Sequence, residues 1–79
     1  MKLFATTTQA AKAAYVSNNT LVQWCEQRLI KSFRFDAPGG HRRVDVESLR
    51  SFLAEHDVPL DAVDQLIAEL RERRDARKH

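Results

Sequence analysis

The chain has 79 residues, a net charge of +2, 43% hydrophobic residues and a single cysteine. A chain of this length holds one modest core and leaves no room for an enclosed catalytic pocket, so we do not expect an enzyme. No apolar stretch is long enough to cross a bilayer, and no signal-peptide core follows the first five residues. With one cysteine no internal disulfide forms, and together these features predict a cytoplasmic protein.

The charge is distributed unevenly along the chain. Residues 1–44 carry seven basic and two acidic side chains, a net +5, whereas residues 45–70 carry a net −6. Residues 71–79 are basic again, with a net +3. A basic first half attracts a polyanion and an acidic second half is repelled by one. This predicts that one side of the molecule faces a polyanion and the other side faces away from it.

Two short helices are predicted first. Thr6 and Gln9 form the pattern of a capping box, and the alanine-rich residues 9–14 favour a helix whose small side chains allow a neighbour to pack closely. Ser17 is a good N-cap for a second helix that extends to about residue 27.

The second helix has a predicted buried side and a polar side. Leu21, Trp24 and Cys25 follow helical spacing, with Leu29 just beyond, and this predicts that they face the core. The outward side of the second helix carries Asn18, Asn19, Val22, Gln23 and Glu26.

A β-hairpin is predicted after Ile30, where the apolar period changes from helical to two. Phe33 alternates with Ser32 and Arg34, as in a half-buried strand, and residues 36–40 form a turn cluster before a return strand. The aromatic spacing favours core positions over a surface that stacks on nucleic-acid bases. The hairpin carries a cluster of basic residues, namely Lys31, Arg34, His41, Arg42 and Arg43.

Two more helices complete the prediction. Asp45 is the expected N-cap of a third helix, in which His56 is a partly buried packing residue and Pro59 follows the end. A fourth helix extends from about residue 61 to 74, and its apolar stripe packs within the chain or pairs with a second copy. The residues of that stripe are Val63, Leu66, Ile67 and Leu70.

Several short motifs resemble one family of DNA-binding proteins. They are Thr-Thr-Thr-Gln-Ala-Ala at 6–11, Val-Ser-Asn-Asn-Thr-Leu at 16–21, Trp24, Leu-Ile at 29–30, Gly-Gly-His-Arg-Arg at 39–43 and Phe-Leu at 52–53. In this combination residues 6–56 resemble the excisionase-like branch of the MerR superfamily. The chain departs from that pattern at Tyr15 and Arg28, where the family often has glycine, and at Val44, where an aromatic residue is common.

The resemblance implies a mainly α fold with a small β-hairpin, a winged helix-turn-helix. Residues 1–56 would form this DNA-binding domain, and residues 57–79 a C-terminal helix with a basic tail. The second helix would read the major groove, and the wing would follow the backbone into the minor groove. The predicted DNA-binding residues are Ser17, Asn18, Asn19, Thr20, Val22, Gln23, Arg28, Lys31, Arg34, His41, Arg42 and Arg43.

These features predict a transcriptional regulator that binds double-stranded DNA and is associated with the nucleoid. An architectural DNA-bending factor, a DNA-binding piece of a larger regulator and a protein-interaction module stay open as alternatives. No metal is predicted, because His41, His56 and His79 share no metal-binding spacing with one another or with Cys25. No catalytic residue or cofactor is predicted either, because the serines lack a readable base partner and no glycine-rich phosphate loop of known spacing occurs.

Overall fold

The computed structural model describes residues 3–34 and 42–76, the last three of these by their backbone alone. The elements follow in the order β1 (Phe4–Thr6), α1 (Thr7–Ala13), α2 (Asn18–Glu26), β2 (Ser32–Arg34), β3 (Arg42–Asp45), α3 (Val46–Glu55) and α4 (Asp61–Ala76). This confirms the predicted fold class of a mainly helical chain with a small β-sheet. The turn predicted at residues 36–40 lies outside the described residues.

Each of the three caps predicted from sequence begins a helix. The Thr6 hydroxyl accepts a hydrogen bond from the Gln9 amide, and the Gln9 side chain accepts one from the Thr6 amide, which completes the capping box. Ser17 caps α2 through the Thr20 amide, and Asp45 caps α3. Local hydrogen-bonding chemistry therefore sets where these helices begin.

The first three helices end in the same way, without glycine. Tyr15, Arg28 and Asp57 have φ angles of 60°, 62° and 58°, in the left-handed region. After α1 the Val16 amide donates to the Ala11 carbonyl and the Tyr15 amide to the Lys12 carbonyl, the pattern of a Schellman motif. The same pattern follows α2 and α3. Three side chains thus occupy backbone positions that glycine adopts most readily.

The sheet has three strands, one more than the predicted hairpin. Its order is β1-β3-β2, with both neighbours antiparallel to the central β3. Ala5 is paired with Val44 and both are almost fully buried, whereas Phe4 is exposed. The strand at β1 was not predicted, because three residues are too few to establish an alternating pattern.

One hydrophobic core joins the helices and the sheet. α4 packs against α1 and α3, and Val63 of α4 is fully buried. The buried apolar residues of this core are Leu3, Ala5, Ala10, Ala11, Ala13, Ala14, Leu21, Cys25, Ile30, Val44, Val46, Leu49, Leu53, Val63 and Leu66. The predicted core position of Cys25 is confirmed, and the proposed division of the chain at residue 57 stays a prediction.

Four predicted positions need correction. Leu29 is 48% exposed, because the left-handed turn at Arg28 takes it out of the apolar line of α2. Phe33 is 40% exposed, because the opposite face of its strand packs against the core. His56 is exposed, although its ring packs 4.3 Å from that of Phe52.

The fourth correction concerns the apolar stripe of α4. Val63 and Leu66 are buried in the chain's own core. The expectation that they contact a second copy is therefore wrong for these two residues. Ile67 and Leu70 are half-buried against the same core. A homodimer stays a prediction that rests on this remaining pair.

Candidate nucleic-acid interface

A polar stripe runs along the side of α2 that faces away from the core. Leu21 and Cys25 turn inward, which leaves residues 19, 22, 23 and 26, spaced three and four apart, on the opposite side. Asn19, Gln23 and Glu26 are exposed and Val22 is half-buried. We call these four residues the α2 stripe. It presents two amides, a branched alkyl group and a carboxylate on one helix surface.

The start of α2 lies beside the start of α1. The Ser17 hydroxyl accepts from the Thr20 amide at 3.3 Å, and the two hydroxyl oxygens lie 3.1 Å apart. The Asn18 amide donates to the Thr8 hydroxyl at 3.5 Å, a long hydrogen bond between the two helices. Hydroxyl and amide groups therefore gather where the N-terminal backbone amides of α2 carry a partial positive charge.

The strand register divides the basic residues of the hairpin between two faces. Arg34 is paired with Arg42, so these two arginines share the face that also carries Ser32. Arg43 is paired with Phe33 and therefore lies on the opposite face. The sequence predicted one basic cluster, whereas the structure brings together only part of it.

One ionic contact joins the hairpin to the α2 stripe. The Arg42 Nη2 atom lies 3.9 Å from Glu26 Oε1, and its Nη1 atom donates to the Ser32 hydroxyl at 3.2 Å. The Arg42 side chain is only 16% exposed, against 64% for Glu26. Since Glu26 belongs to the α2 stripe, this contact places the Arg34–Arg42 face of the hairpin next to that stripe. The polar side of α2 and the Arg42 side of the hairpin thus adjoin each other.

A family comparison agrees with this arrangement. The family model described as "Helix-turn-helix domain" matches residues 6–57, about two thirds of the chain. The chain belongs to this helix-turn-helix family. The family is one of DNA-binding domains, and the match spans both short helices, the hairpin and α3. Comparison with curated proteins and with solved structures found no match.

Two further basic residues of the helix-turn-helix domain lie where α2 ends and the hairpin begins. Arg28 and Lys31 are exposed and line a shallow surface depression together with Cys25, Ile30 and Ser32. The backbone of Lys31 is bound on both sides: its amide donates to the Ser48 hydroxyl of α3 and its carbonyl accepts from the Asp45 amide of β3, each at 2.9 Å. His41 lies outside the described residues.

Two polar contacts involve the acidic first turn of α4. The Tyr15 hydroxyl donates to Asp61 at 2.9 Å, which raises the pKa of this tyrosine through the hydrogen bond and the nearby negative charge. Arg50 donates to Asp64 at 2.7 Å, and that hydrogen bond raises the pKa of the guanidinium. Asp61 and Asp64 lie in the first turn of α4, where negative charge is favoured.

Two features of the hairpin were missed by sequence reasoning. One is the pairing of Glu26 with Arg42, which joins residues of two elements and leaves no local signal. The other is the contact between Phe4 and Phe33, whose rings meet edge to face with centroids 5.0 Å apart on the outer side of the sheet. The apolar run at residues 3–5 was the only sequence signal for β1, the strand that was not predicted.

Within residues 3–34 and 42–76, no group of three or more histidine, cysteine or acidic side chains is arranged to hold a metal ion. In this same part of the chain no helix is both long and apolar enough to span a membrane.

Proposed function

We propose that this helix-turn-helix domain binds double-stranded DNA as a transcriptional regulator of the MerR or excisionase-like type. The observation that carries the proposal is the contact between Arg42 and Glu26, because it puts the hairpin beside the α2 stripe. A duplex has a major groove wide enough for one helix, and the flanking backbone lies within reach of an adjoining ribbon. The α2 stripe and the adjoining Arg34–Arg42 face of the hairpin support this mode of binding.

The α2 stripe supplies the base contacts in this proposal. Asn and Gln side chains pair in a bidentate manner with adenine, so Asn19 and Gln23 of the stripe favour that base, as does Asn18 beside it. Val22 suits the methyl group of thymine. Ser17 and Thr20, at the helix N-terminus, lie where hydroxyls and backbone amides suit a phosphate.

The hairpin and its approach supply the attraction to phosphate. No lysine or arginine occurs between Lys12 and Arg28, so α2 itself has little positive charge. Guanidinium groups bind phosphate through two parallel hydrogen bonds, and each neutralised phosphate releases counterions. The basic residues assigned to this role are Arg28, Lys31, Arg34, His41 and Arg43, whereas Arg42 is paired with Glu26.

Salt-dependent binding tests the assignment. Arg43→Ala should weaken binding to every duplex sequence and flatten the slope of log affinity against log salt by about one unit. Gln23→Ala should mainly reduce the preference between sequences. Arg50→Ala is the matched control, because it removes an arginine whose guanidinium is bound to Asp64.

Two outcomes would contradict the proposal. An unchanged salt slope in Arg43→Ala would remove Arg43, and with it the outer face of the hairpin, from the interface. Failure of the unmodified protein to bind random duplex DNA at low salt would favour a protein-interaction module instead. If the protein does bind, a gel-shift assay with phased probes measures how far it bends the DNA. A strong bend favours an architectural factor over a transcriptional regulator.

A further inference from the structure

Two arginines face each other across the hairpin. Arg34 and Arg42 are directly opposite in the antiparallel register, on the face that adjoins α2. Like charges in that position destabilise a strand pair, and the mostly buried side chain of Arg42 needs an anionic or polar partner. Glu26 and the Ser32 hydroxyl are the partners that the structure gives to Arg42.

Glu26 is itself in an unfavourable position without that partner. It is the last residue of α2, where the backbone carbonyls give the helix end a partial negative charge. It also belongs to the α2 stripe, which in the proposed function faces DNA, where a carboxylate is repelled by phosphate. Pairing with Arg42 offsets both effects, so the two side chains stabilise each other in the free protein.

We propose that Glu26 is a specificity-determining residue that exchanges one partner for another on DNA. In the free protein and on most sequences, its carboxylate holds Arg42 and withholds that guanidinium from phosphate. Where a cytosine lies under the end of α2, the N4 amino group donates to Glu26, because a carboxylate accepts from this base edge. Arg42 then turns to a backbone phosphate. This inference rests on the proposed function.

The consequence is weak binding to random DNA. A domain whose cations were all available would bind any duplex through counterion release. Neutralisation of Arg42 by Glu26 removes one phosphate contact from nonspecific complexes and restores it only on the preferred sequence. Glu26 thus widens the difference in affinity between preferred and random DNA.

The test compares Glu26→Gln with Glu55→Gln. Each substitution removes one negative charge from the last residue of an exposed helix end, but Glu55 belongs to α3. Fluorescence anisotropy with a labelled random duplex measures affinity over a range of salt concentrations. Glu26→Gln should bind random DNA about five- to tenfold more tightly at 0.1 M salt, with a slope steeper by about 0.9. Glu55→Gln should leave the slope unchanged.

A second variant identifies Arg42 as the residue that is released. Arg42→Gln should leave the slope of the otherwise unmodified protein unchanged, and in the Glu26→Gln background it should reverse the increase. Selection from a randomised duplex pool should enrich cytosine at one position for the unmodified protein, and Glu26→Gln should lose that enrichment. Circular dichroism confirms that each variant is folded.

The outcomes separate the two proposals. If the unmodified protein does not bind duplex DNA, the proposed function fails. If it binds but Glu26→Gln leaves the slope unchanged while Arg42→Gln lowers it by about 0.9, Arg42 contacts phosphate in every complex and the partner exchange is overturned. Enrichment of cytosine that survives in Glu26→Gln would overturn the assigned base contact.

Discussion

The helix-turn-helix pair and the α3–α4 pair are held together in different ways. α1 is packed through alanines at positions 10, 11, 13 and 14, all of them buried. The core side of α3 and α4 consists of larger residues, with Leu49, Leu53 and Val63 fully buried. Since hydrophobic free energy follows buried apolar area, at about 25 cal/mol per Å², the second pair contributes more per residue. Alanine instead lets helices approach closely.

The two regions also differ in whether their polar groups are buried or paired within the chain. The cap of α2 is the exposed Ser17, whereas the cap of α3 is Asp45, which is 4% exposed and accepts from two backbone amides. On the α4 side Arg50 and Asp64 bind each other. The α2 stripe is left open to solvent over most of its length. One region therefore acts as a scaffold, and the other carries the surface that the proposed function assigns to DNA.

The largest effect should come from a charge placed in the scaffold. Val63→Asp buries a carboxylate without a partner and should lower the free energy of unfolding by more than about 3 kcal/mol. Ala68→Asp is the control, because residue 68 is exposed on the same helix. Urea unfolding followed by circular dichroism measures both. Equal stability of the two variants would show that α4 is not part of the core.

Removal of the caps compares the two regions directly. Asp45→Ala should cost about 2 kcal/mol, because two partly buried hydrogen bonds from backbone amides lose a charged acceptor, and Ser17→Ala about 1 kcal/mol. Ser51→Ala, on the exposed side of α3, serves as the control. Chemical denaturation of all three gives the order. A larger loss for Ser17→Ala would reverse the distinction between scaffold and surface.

The residues at which the helices begin could be predicted from the sequence. The left-handed turn after α2 and the exposure of the residue that follows it could not. Thr6, Ser17 and Asp45 act through hydrogen bonds with amides within three residues, and contacts over so short a distance can be predicted from a sequence. The left-handed residue after α2 is an arginine, so composition alone does not mark the turn there. Leu29 follows that turn, and its expected burial was wrong for this reason.

Strand alternation has a related limit. A period of two establishes that Phe33 and Ser32 point to opposite sides, but it does not identify the side that meets the core. That choice depends on β1, because Ala5 and Val44 pair on the inner face. The first strand reaches β3 across some forty residues of chain, and no local pattern reports such pairing.

In the candidate site, too, features set by neighbouring residues could be predicted, whereas contacts between distant residues could not. The polar side of α2 was evident from helical spacing, and its exposure is confirmed. The contact of Glu26 with Arg42 depends on the angle between α2 and the hairpin, which tertiary packing sets. The sequence identified the basic residues, whereas only the register showed that Arg42 and Arg43 lie on opposite faces.

The smallest expected effect concerns the hydrogen bond that joins the two regions. Tyr15 is the only tyrosine, so the ultraviolet absorbance of its phenolate reports its titration directly. Asp61 accepts from the neutral phenol and repels the phenolate, which raises the Tyr15 pKa above the ordinary 10.0. Asp61→Asn should lower the Tyr15 pKa toward that value, and Asp64→Asn, one turn further along α4, should change it less.

The raised pKa also fixes the sign of the effect on stability. Well below pH 10 the phenol is neutral in the folded and the unfolded chain, so the bond to Asp61 contributes in full. As the pH rises through the raised pKa, the phenolate forms beside Asp61 and that contribution is lost. Tyr15→Phe lacks the bond at every pH, so the difference in unfolding free energy between it and the unmodified protein should shrink over this range. A difference that stays constant through the titration would mean that the bond to Asp61 does not couple the turn after α1 to α4.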